Sequence, residues 1–214
     1  MTYLELVNDV LTRLRETNVS TVSETNYSAL VGKFVNDAKR QIEDSYNWNV
    51  LSQTITVTTV SATSSYSLTG AGQKFRINDA INTTSVITLD NTTTADMNRK
   101  LNFGTPGQGI PSEFCFNGVD GSGDTKVDLF PVPNGVYTLK FDLTIPQANL
   151  SADGTSVKVL DYLVTQSAYA RALIERGEDG GTNSSEAYAL FRGMLSDAIA
   201  MESTRYPEDN FVAV

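Results

Sequence analysis

Few segments of the chain have residue types and spacing suited to chemistry. Residues 104–109, GTPGQG, have the clustered glycines of a phosphate-binding loop, but the Lys-Ser/Thr ending and the strand-to-helix setting are missing. Residues 120–124, DGSGD, resemble the start of a calcium-binding loop, but Pro131 stands where a bidentate Glu is needed. We therefore interpret both segments as turns rather than as ligand sites.

The amino-acid composition excludes the commonest catalytic and metal-binding arrangements. The chain has 214 residues and no histidine, which removes histidine-activated nucleophiles, histidine-ligated zinc and the commonest general base. The single cysteine, Cys115, lies in an apolar run, where a small buried side chain is expected rather than a reactive thiol. We predict a protein that is not an enzyme and that needs neither a metal nor a cofactor.

The charge is acidic and is spread along the chain. The formal net charge is -9, and no segment carries the clustered Lys and Arg that neutralise phosphates. This pattern argues against tight DNA or RNA binding, whereas an acidic surface lets DNA pass close by without sticking. The sequence has no run of eighteen apolar residues and no basic leader at its start, so we predict neither a membrane span nor a secretory signal.

Helical periodicity marks the first part of the chain. Thr2 and Glu5 have the spacing of a capping box, and apolar residues then recur every three or four positions. A second helix is predicted to begin near Ser23 or Thr25 and to place its charged residues on the outer face. That outer face contains the following residues: Lys33, Asp37, Lys39, Arg40, Glu43 and Asp44.

The last part of the chain returns to helical periodicity. The pattern predicts one helix over 157–176 that stops at Gly177, and another from Asn183 to about Arg205. Helices at the two ends of the chain can bury their apolar stripes only against each other. We therefore predict a four-helix bundle formed by the N- and C-terminal helix pairs.

The middle of the chain is predicted to be rich in strands. Ser and Thr alternate with apolar residues between 52 and 69, and the alternation is clearest over 136–145. Pro133, Asn134 and Gly135 have the composition of a hairpin turn before that strand. We predict an antiparallel sandwich or barrel-like domain. The other candidate strands are 75–77, 85–89, 113–116 and 127–130.

The predicted fold is therefore α+β, with a β domain inserted into a helical bundle. The predicted parts are an N-terminal helical hairpin (1–51), a β domain (52–150), a C-terminal helix pair (151–206) and a tail (207–214). Trp48, the only tryptophan, lies where the apolar period changes from helix to strand. We predict that Trp48 is a structural anchor of this junction, with its N–H donating to a backbone carbonyl.

The tail is a candidate partner-binding segment. Phe211, Val212, Ala213 and Val214 are apolar and β-prone, and they follow the helix terminator Pro207. Two interpretations are open: the segment docks on a neighbouring protein, or it is disordered.

An ordered set of segments covers nearly the whole chain. The segments are MTYLELVNDVLTRLRE, IEDSYNWNVLSQTITVTTV, IPSEFCFNG, VDLFPVPNGVYTLKFDLTI, LDYLVTQSAYARALIERGED and AYALFRGMLSDAIAM. Together they resemble the head-to-tail adaptor proteins of short-tailed bacteriophages, also called tail tubular, gatekeeper or head completion connector proteins.

The resemblance implies a virion structural protein at the head–tail junction, assembled in the host cytoplasm. Adaptors of this kind form a dodecameric ring under the portal protein, join it to the tail nozzle or other tail proteins, and retain packaged DNA until ejection. Their helical part builds the ring, and DNA passes through the channel without specific binding. Residues 211–214 match the family's tail, which reaches into the portal or a neighbouring subunit.

Two other function classes are consistent with the composition. One is a β-sandwich module of a virion that binds a receptor or a carbohydrate, with the helices as its mounting. The other is an enzyme that acts through Asp and Glu alone, such as a lytic glycosidase. No pair of carboxylates in the sequence singles itself out for that role.

Overall fold

The computed structural model describes residues 1–177 and 181–205. The helices are α1 (Tyr3–Arg13), α2 (Asn26–Ser45), α3 (Thr94–Asn102), α4 (Asp161–Arg176) and α5 (Thr182–Ser203), and a 3-10 turn spans Asn49–Leu51. The strands are β1 (Ser52–Thr58), β2 (Ser65–Ser67), β3 (Arg76–Asn82), β4 (Ile87–Thr88), β5 (Asp90–Asn91), β6 (Gln108–Gly109), β7 (Glu113–Val119), β8 (Thr125–Phe130), β9 (Val132–Pro133) and β10 (Thr138–Thr144). This mixture confirms the predicted α+β class. None of the helices in the described ranges is both long and apolar enough to cross a membrane.

Tertiary contacts divide the chain into two units. The helical unit contains Met1–Leu51 and the chain from Pro146 onward, and the β unit contains Ser52–Ile145. The contacts therefore place the second boundary after Ile145 rather than after residue 150. The reason is that Leu150 is buried among the helices.

The helix ends follow the local signals in the sequence. Thr2 begins α1 with the predicted capping box, since its hydroxyl accepts from the N–H of Glu5 and the Glu5 carboxylate accepts from the N–H of Thr2. Thr25, one of the two predicted starts, caps α2. Gly177 ends α4 in the left-handed conformation, with φ 62°. These three predictions are confirmed.

The start of α4 differs from the prediction, because α4 begins at Asp161 and not at residue 157. The segment before it is hydrogen-bonded to the beginning of the chain. The N–H of Tyr3 donates to the carbonyl of Thr155, and the N–H of Val157 donates to the carbonyl of Met1. These bonds satisfy backbone groups that would otherwise favour a longer helix.

The helical unit has one buried core to which α1, α2, α4 and α5 all contribute. Its fully buried members include Leu6, Val7, Val10, Val31, Val35, Ala38, Ile42, Leu163, Val164, Ala168 and Phe191. The central element is α4, which packs against α1, α2 and α5 and is buried on most sides. By contrast, α5 packs mainly against α4.

The β unit contains two four-stranded sheets, and both contribute to one core. The strand orders are β1-β10-β3-β4 and β2-β8-β7-β5, with β6 and β9 forming a separate pair. Leu139, Phe141 and Leu143 of β10 are fully buried, whereas Lys140 is exposed, which confirms the alternation predicted for this strand. The two pairs β5·β7 and β6·β9 are parallel, which the sequence pattern did not indicate.

The predicted hairpin turn at Pro133, Asn134 and Gly135 is wrong. Strand β8 pairs with β2 and β7, whereas β10 pairs with β1 and β3, so the connection passes from one sheet to the other. The physical reason is that both strands supply apolar faces to the same core from opposite sheets. Neither Asn134 nor Gly135 has the positive φ that the predicted turn requires.

The helix α3 was not predicted from the sequence. Thr93 caps it by accepting from the N–H of Asp96. Only Met97 of this helix is buried. A single buried apolar residue leaves no helical periodicity for the sequence to reveal.

Gly32 in α2 lies where the packing leaves no room for a side chain. A Cβ atom there would overlap the hydroxyl of Tyr3 and lie 2.8 Å from Cγ1 of Val22. We expect Gly32→Ala to lower the free energy of unfolding of the helical unit by about 1–3 kcal/mol. Trp48 lies in the core of this unit, so its fluorescence during urea unfolding measures the change.

Gly193 in α5 provides the matched control. A Cβ atom there meets no atom within 4 Å. We expect Gly193→Ala to raise the free energy of unfolding by about 0.5–1 kcal/mol, because alanine has the higher helix propensity. The same stabilisation from Gly32→Ala would contradict the close approach of Tyr3 and Val22.

Candidate interaction surface

The two glycine-containing loops form turns and connections. The Asp120 carboxylate accepts from the backbone N–H groups of Ser122 and Asp124, within the hairpin that joins β7 and β8. A hydrogen bond from the Ser67 hydroxyl and these N–H groups lower the pKa of Asp120. Residues 104–107 lie in the connection from α3 to β6, residues 108 and 109 form β6, and no helix follows directly. Among the described residues, no group of three or more Cys, Asp and Glu side chains is placed to hold a metal ion.

Cys115 lies in β7 and is buried. Burial and the nearby Asp128 raise the pKa of its thiol. A thiol with a raised pKa and no access to solvent is a poor nucleophile. The structure therefore buries Cys115, as the sequence suggested.

The strongest cluster of ionisable groups is the pair Lys39 and Glu43 on α2. Both side chains are fully buried, and the Lys39 ammonium lies 3.1 and 3.2 Å from the two Glu43 oxygens. The prediction that both face outward is wrong. The reason is that the chain returning from the β unit covers them, because Lys39 also donates to the carbonyl of Gln147 and Glu43 accepts from the N–H of Gln147.

Desolvation lowers the pKa of Lys39 and raises the pKa of Glu43. Shifts of this kind also occur at catalytic sites, so the pair is a candidate for chemistry. However, three protein oxygens surround the ammonium group, and neither side chain reaches solvent. The geometry therefore supports a structural role.

Asn36, one turn before Lys39, binds the same returning segment. Its side-chain N–H donates to the carbonyl of Leu150 at 3.0 Å, and its side-chain oxygen accepts from the N–H of Leu150 at 2.8 Å. We call Asn36, Lys39 and Glu43, with the segment 147–150 that they bind, the return clasp. The return clasp fixes the chain on α2 before it enters α4.

Trp48 lies in the core of the helical unit. Its side chain is buried, its indole N–H donates to the carbonyl of Ile42 at 2.6 Å, and its ring contacts the edge of Tyr46. The N–H therefore binds the carbonyl of a residue near the end of α2. The role of Trp48 as the anchor of the junction stays a prediction.

The predicted tail residues Phe211, Val212, Ala213 and Val214 lie outside the described residues. Their role in binding a portal or a neighbouring subunit stays a prediction.

One side of α5 has the character of a protein-binding surface. Leu190 is 57% exposed and Met201 is 74% exposed, and Met194 between them is half-buried. Their spacing of four and seven residues puts all three on one side of the helix. We call Leu190, Met194 and Met201 the α5 flank.

The exposed side of α5 also carries small residues, together with the charged residues Glu186, Arg192 and Asp197. Ala189, Gly193 and Ala200 are exposed there, while Phe191 and Ala198 face the core. Burial of the α5 flank against another protein would provide binding energy without any chemical step.

Sequence reasoning missed the exposure of the α5 flank, although a signal was present. The helix predicted from Asn183 to about Arg205 is expected to bury its apolar stripe against the other helices. However, Leu190 and Phe191 are adjacent, and adjacent residues of a helix point about 100° apart, so a narrow stripe does not hold both. A helix with more apolar residues than one stripe can hold must expose some of them.

The chain is similar to a known protein family over nearly its whole length. The family model described as SU10 adaptor protein matches residues 1–211. No curated protein matches the chain.

We expect removal of one charge from the return clasp to lower the free energy of unfolding strongly. Glu43→Leu leaves the Lys39 ammonium buried without its counter-ion, so we expect a loss of about 3–5 kcal/mol in the free energy of unfolding. Urea unfolding followed by Trp48 fluorescence measures this loss.

Two variants serve as controls for this prediction. The double variant Lys39→Met with Glu43→Leu removes both charges, so much of the lost stability is expected to return. Asp37→Ala breaks an exposed ion pair with Arg40 on the same helix, and its expected cost is at most about 1 kcal/mol. A Glu43→Leu cost no larger than that of Asp37→Ala would contradict the role of the clasp.

Burial of Trp48 predicts a loss of about 3–5 kcal/mol for Trp48→Ala. Trp48→Phe keeps most of the apolar volume and loses the hydrogen bond to Ile42, so its cost is expected to be about 1–2 kcal/mol. Thermal unfolding followed by circular dichroism gives both values, because the variants lack the fluorescent indole. A near-neutral Trp48→Ala variant would show that the indole is not a core residue in solution.

Proposed function

Because the chain belongs to the SU10 adaptor protein family, we propose that it is the head-to-tail adaptor of a phage virion, which forms a ring under the portal protein and joins it to the tail. The observation that carries this proposal is the match of the family model to residues 1–211. A family match of this extent shows that the chain is a structural adaptor protein. The ring, the portal contact and the tail contact are the proposed part.

The chemistry of the described residues supports a role in assembly. The buried Lys39 and Glu43 are occupied by internal contacts, and Cys115 is covered by the core. The α5 flank, by contrast, exposes apolar side chains that a partner can bury. In the proposal, α1, α2, α4 and α5 form a four-helix bundle that packs side by side with its copies in a dodecameric ring. The two sheets of the β unit form a sandwich that contacts tail proteins.

The acidic charge supports the proposed relation to DNA. The net charge of -9 favours a channel wall that repels the phosphate backbone. The ring would retain packaged DNA by closing the exit and would let it pass at ejection without specific binding. The protein would assemble onto filled heads in the host cytoplasm and remain in the virion at the head–tail junction.

The tail is proposed to add a second contact. Phe211, Val212, Ala213 and Val214 form an apolar segment that fits an edge strand or a groove on the portal or on a neighbouring copy. Ordering of such a segment on docking would offset part of the binding energy.

The proposal predicts that the purified protein forms rings when it is mixed with portal particles. Native mass measurement of the protein alone and with portal gives the stoichiometry of both states. Deletion of residues 207–214 is expected to weaken attachment to the portal. Undiminished attachment of the truncated protein would remove the tail from the proposal, and the absence of any portal complex with the full chain would contradict the adaptor function.

The α5 flank is tested in the same mixture. Leu190→Lys places a charge on the flank, and we expect about tenfold or greater weakening of ring formation. Ser196→Lys puts the same charge on another exposed side of α5 and is the matched control. Equal effects of the two substitutions would show that the flank is not a contact surface.

A further inference from the structure

The strand β1 is a long edge strand of the β unit. The two four-stranded sheets have β1, β4, β2 and β5 as their edge strands. Strand β1 has seven residues, whereas β2 has three, and β4 and β5 have two each. A long edge strand is a template on which a further strand can pair, and short edge strands limit such pairing. Among these four edges, β1 is therefore the one suited to pairing with another chain.

Every second residue of β1 directs its backbone N–H and C=O groups away from β10. The N–H of Thr59 donates to the carbonyl of Tyr137 at 2.9 Å, and this pair continues the register of β1 and β10. Hydrogen-bonded and non-hydrogen-bonded pairs alternate along an antiparallel ladder. The residues of β1 whose backbone groups point away from β10 are therefore Thr54, Thr56 and Thr58. We call the backbone groups of these three residues the β1 edge.

The β1 edge is unpaired and unprotected. Within the described residues, its backbone groups make no hydrogen bond, and the side chains of its three residues are exposed. The sequence of β1, SQTITVT, contains no charged residue and no proline. Its register with β10 continues without a bulge. Charges, prolines and bulges are the usual devices that block an edge, so the β1 edge is open to a further strand.

The occupant that fits the β1 edge is an extended polypeptide. Donors and acceptors that alternate along a strand are matched by the main chain of another strand. The side chains of Ile55 and Val57 pack against the core of the β unit, and Ile55 is only partly buried. An added strand with apolar side chains would extend this core past Ile55. The chemistry of the edge thus selects an uncharged, apolar strand.

The chain itself contains a segment with these properties. Two segments lie outside the described residues, 178–180 and 206–214. The first, EDG, is short and acidic, whereas residues 210–214, NFVAV, are uncharged and rich in β-branched and aromatic side chains. This run has the same length as the stretch from Thr54 to Thr58. Both of its alternating faces carry apolar side chains, so pairing in either register places an apolar face beside Ile55.

We propose that residues 210–214 of one copy add as a strand to the β1 edge of a neighbouring copy. This contact rests on the proposed ring, and it names the surface that receives the tail. Each copy offers one tail and one β1 edge. Two different surfaces that bind each other make a head-to-tail contact, which closes into a ring in which every edge is paired. Pairing of two β1 edges would instead give a dimer and leave the tail without a partner.

A proline in β1 tests the contact. Thr56→Pro removes an N–H of the β1 edge that β10 does not use, so the ladder of β1 and β10 is retained while the edge is blocked. We expect about tenfold weaker ring formation on portal particles. Ser65→Pro in β2 is the matched control. Its N–H also points away from the neighbouring strand, because the N–H of Leu129 donates to the carbonyl of Ser64. We expect unchanged ring formation, and circular dichroism checks that both variants fold.

Combination of Thr56→Pro with deletion of residues 207–214 separates a direct contact from two independent ones. If the tail binds the β1 edge, the combined variant weakens ring formation about tenfold, as each change does alone. Independent contacts would give about a hundredfold loss, which would overturn the proposal and leave the tail to the portal.

A mixture of two variants shows whether the contact joins different copies. The Thr56→Pro protein supplies tails, and the protein without residues 207–214 supplies open edges. We expect more rings from the mixture than from either protein alone. No gain on mixing would overturn a contact between copies.

Hydrogen exchange of assembled rings tests the contact without a change in β1. The amides of Thr54, Thr56 and Thr58 are expected to exchange at least about tenfold more slowly in rings of the full chain than in rings of the shortened protein. Equal exchange, with these amides unprotected in both rings, would overturn the contact alone. Protection that persists without residues 207–214 would assign the edge to another strand. Failure of the unmodified protein to form rings would overturn the proposed function as well.

Discussion

The buried contact between α2 and the chain that returns from the β unit is the constraint on which the helical unit depends. The chain leaves this unit at Leu51 and re-enters it at Pro146, so its two halves must be joined by contacts rather than by sequence proximity. The return clasp provides these contacts through Lys39, Glu43 and Asn36. A buried charged pair is costly to desolvate, and its geometric specificity distinguishes one arrangement of the returning chain from other arrangements that bury similar apolar area.

The position of α4 follows from this constraint. Once the segment 147–150 is fixed on α2, the next helix enters the space between α1 and α2, where nearly every side of it is buried. The apolar surfaces of α1 and α2 are then covered mostly by α4. The last helix, α5, therefore packs mainly against α4. The exposed apolar residues of α5 are thus a consequence of the chain order, because the final helix of the unit packs mainly against α4. A second copy can supply a further partner.

The sequence predicted the parts of the fold that depend on neighbouring residues. The capping box at Thr2 and the left-handed stop at Gly177 are local signals, and the alternation in β10 has a period that one strand determines by itself. The return clasp was missed because a Lys and a Glu one turn apart have the pattern of an exposed ion pair. Their burial depends on a contact with Gln147, which is distant in the sequence. The connection through Asn134 was missed for the same reason, since the choice between a hairpin and a change of sheet depends on the remote partners of β10.

The distribution of polar and apolar groups in the described residues indicates an assembly component. Inside the helical unit, the buried pair Lys39 and Glu43 is partnered by internal contacts. At the surface, α5 exposes Leu190 and Met201, and the turn between β3 and β4 exposes Val86. Exposed apolar side chains of this kind are groups that a second protein chain can bury.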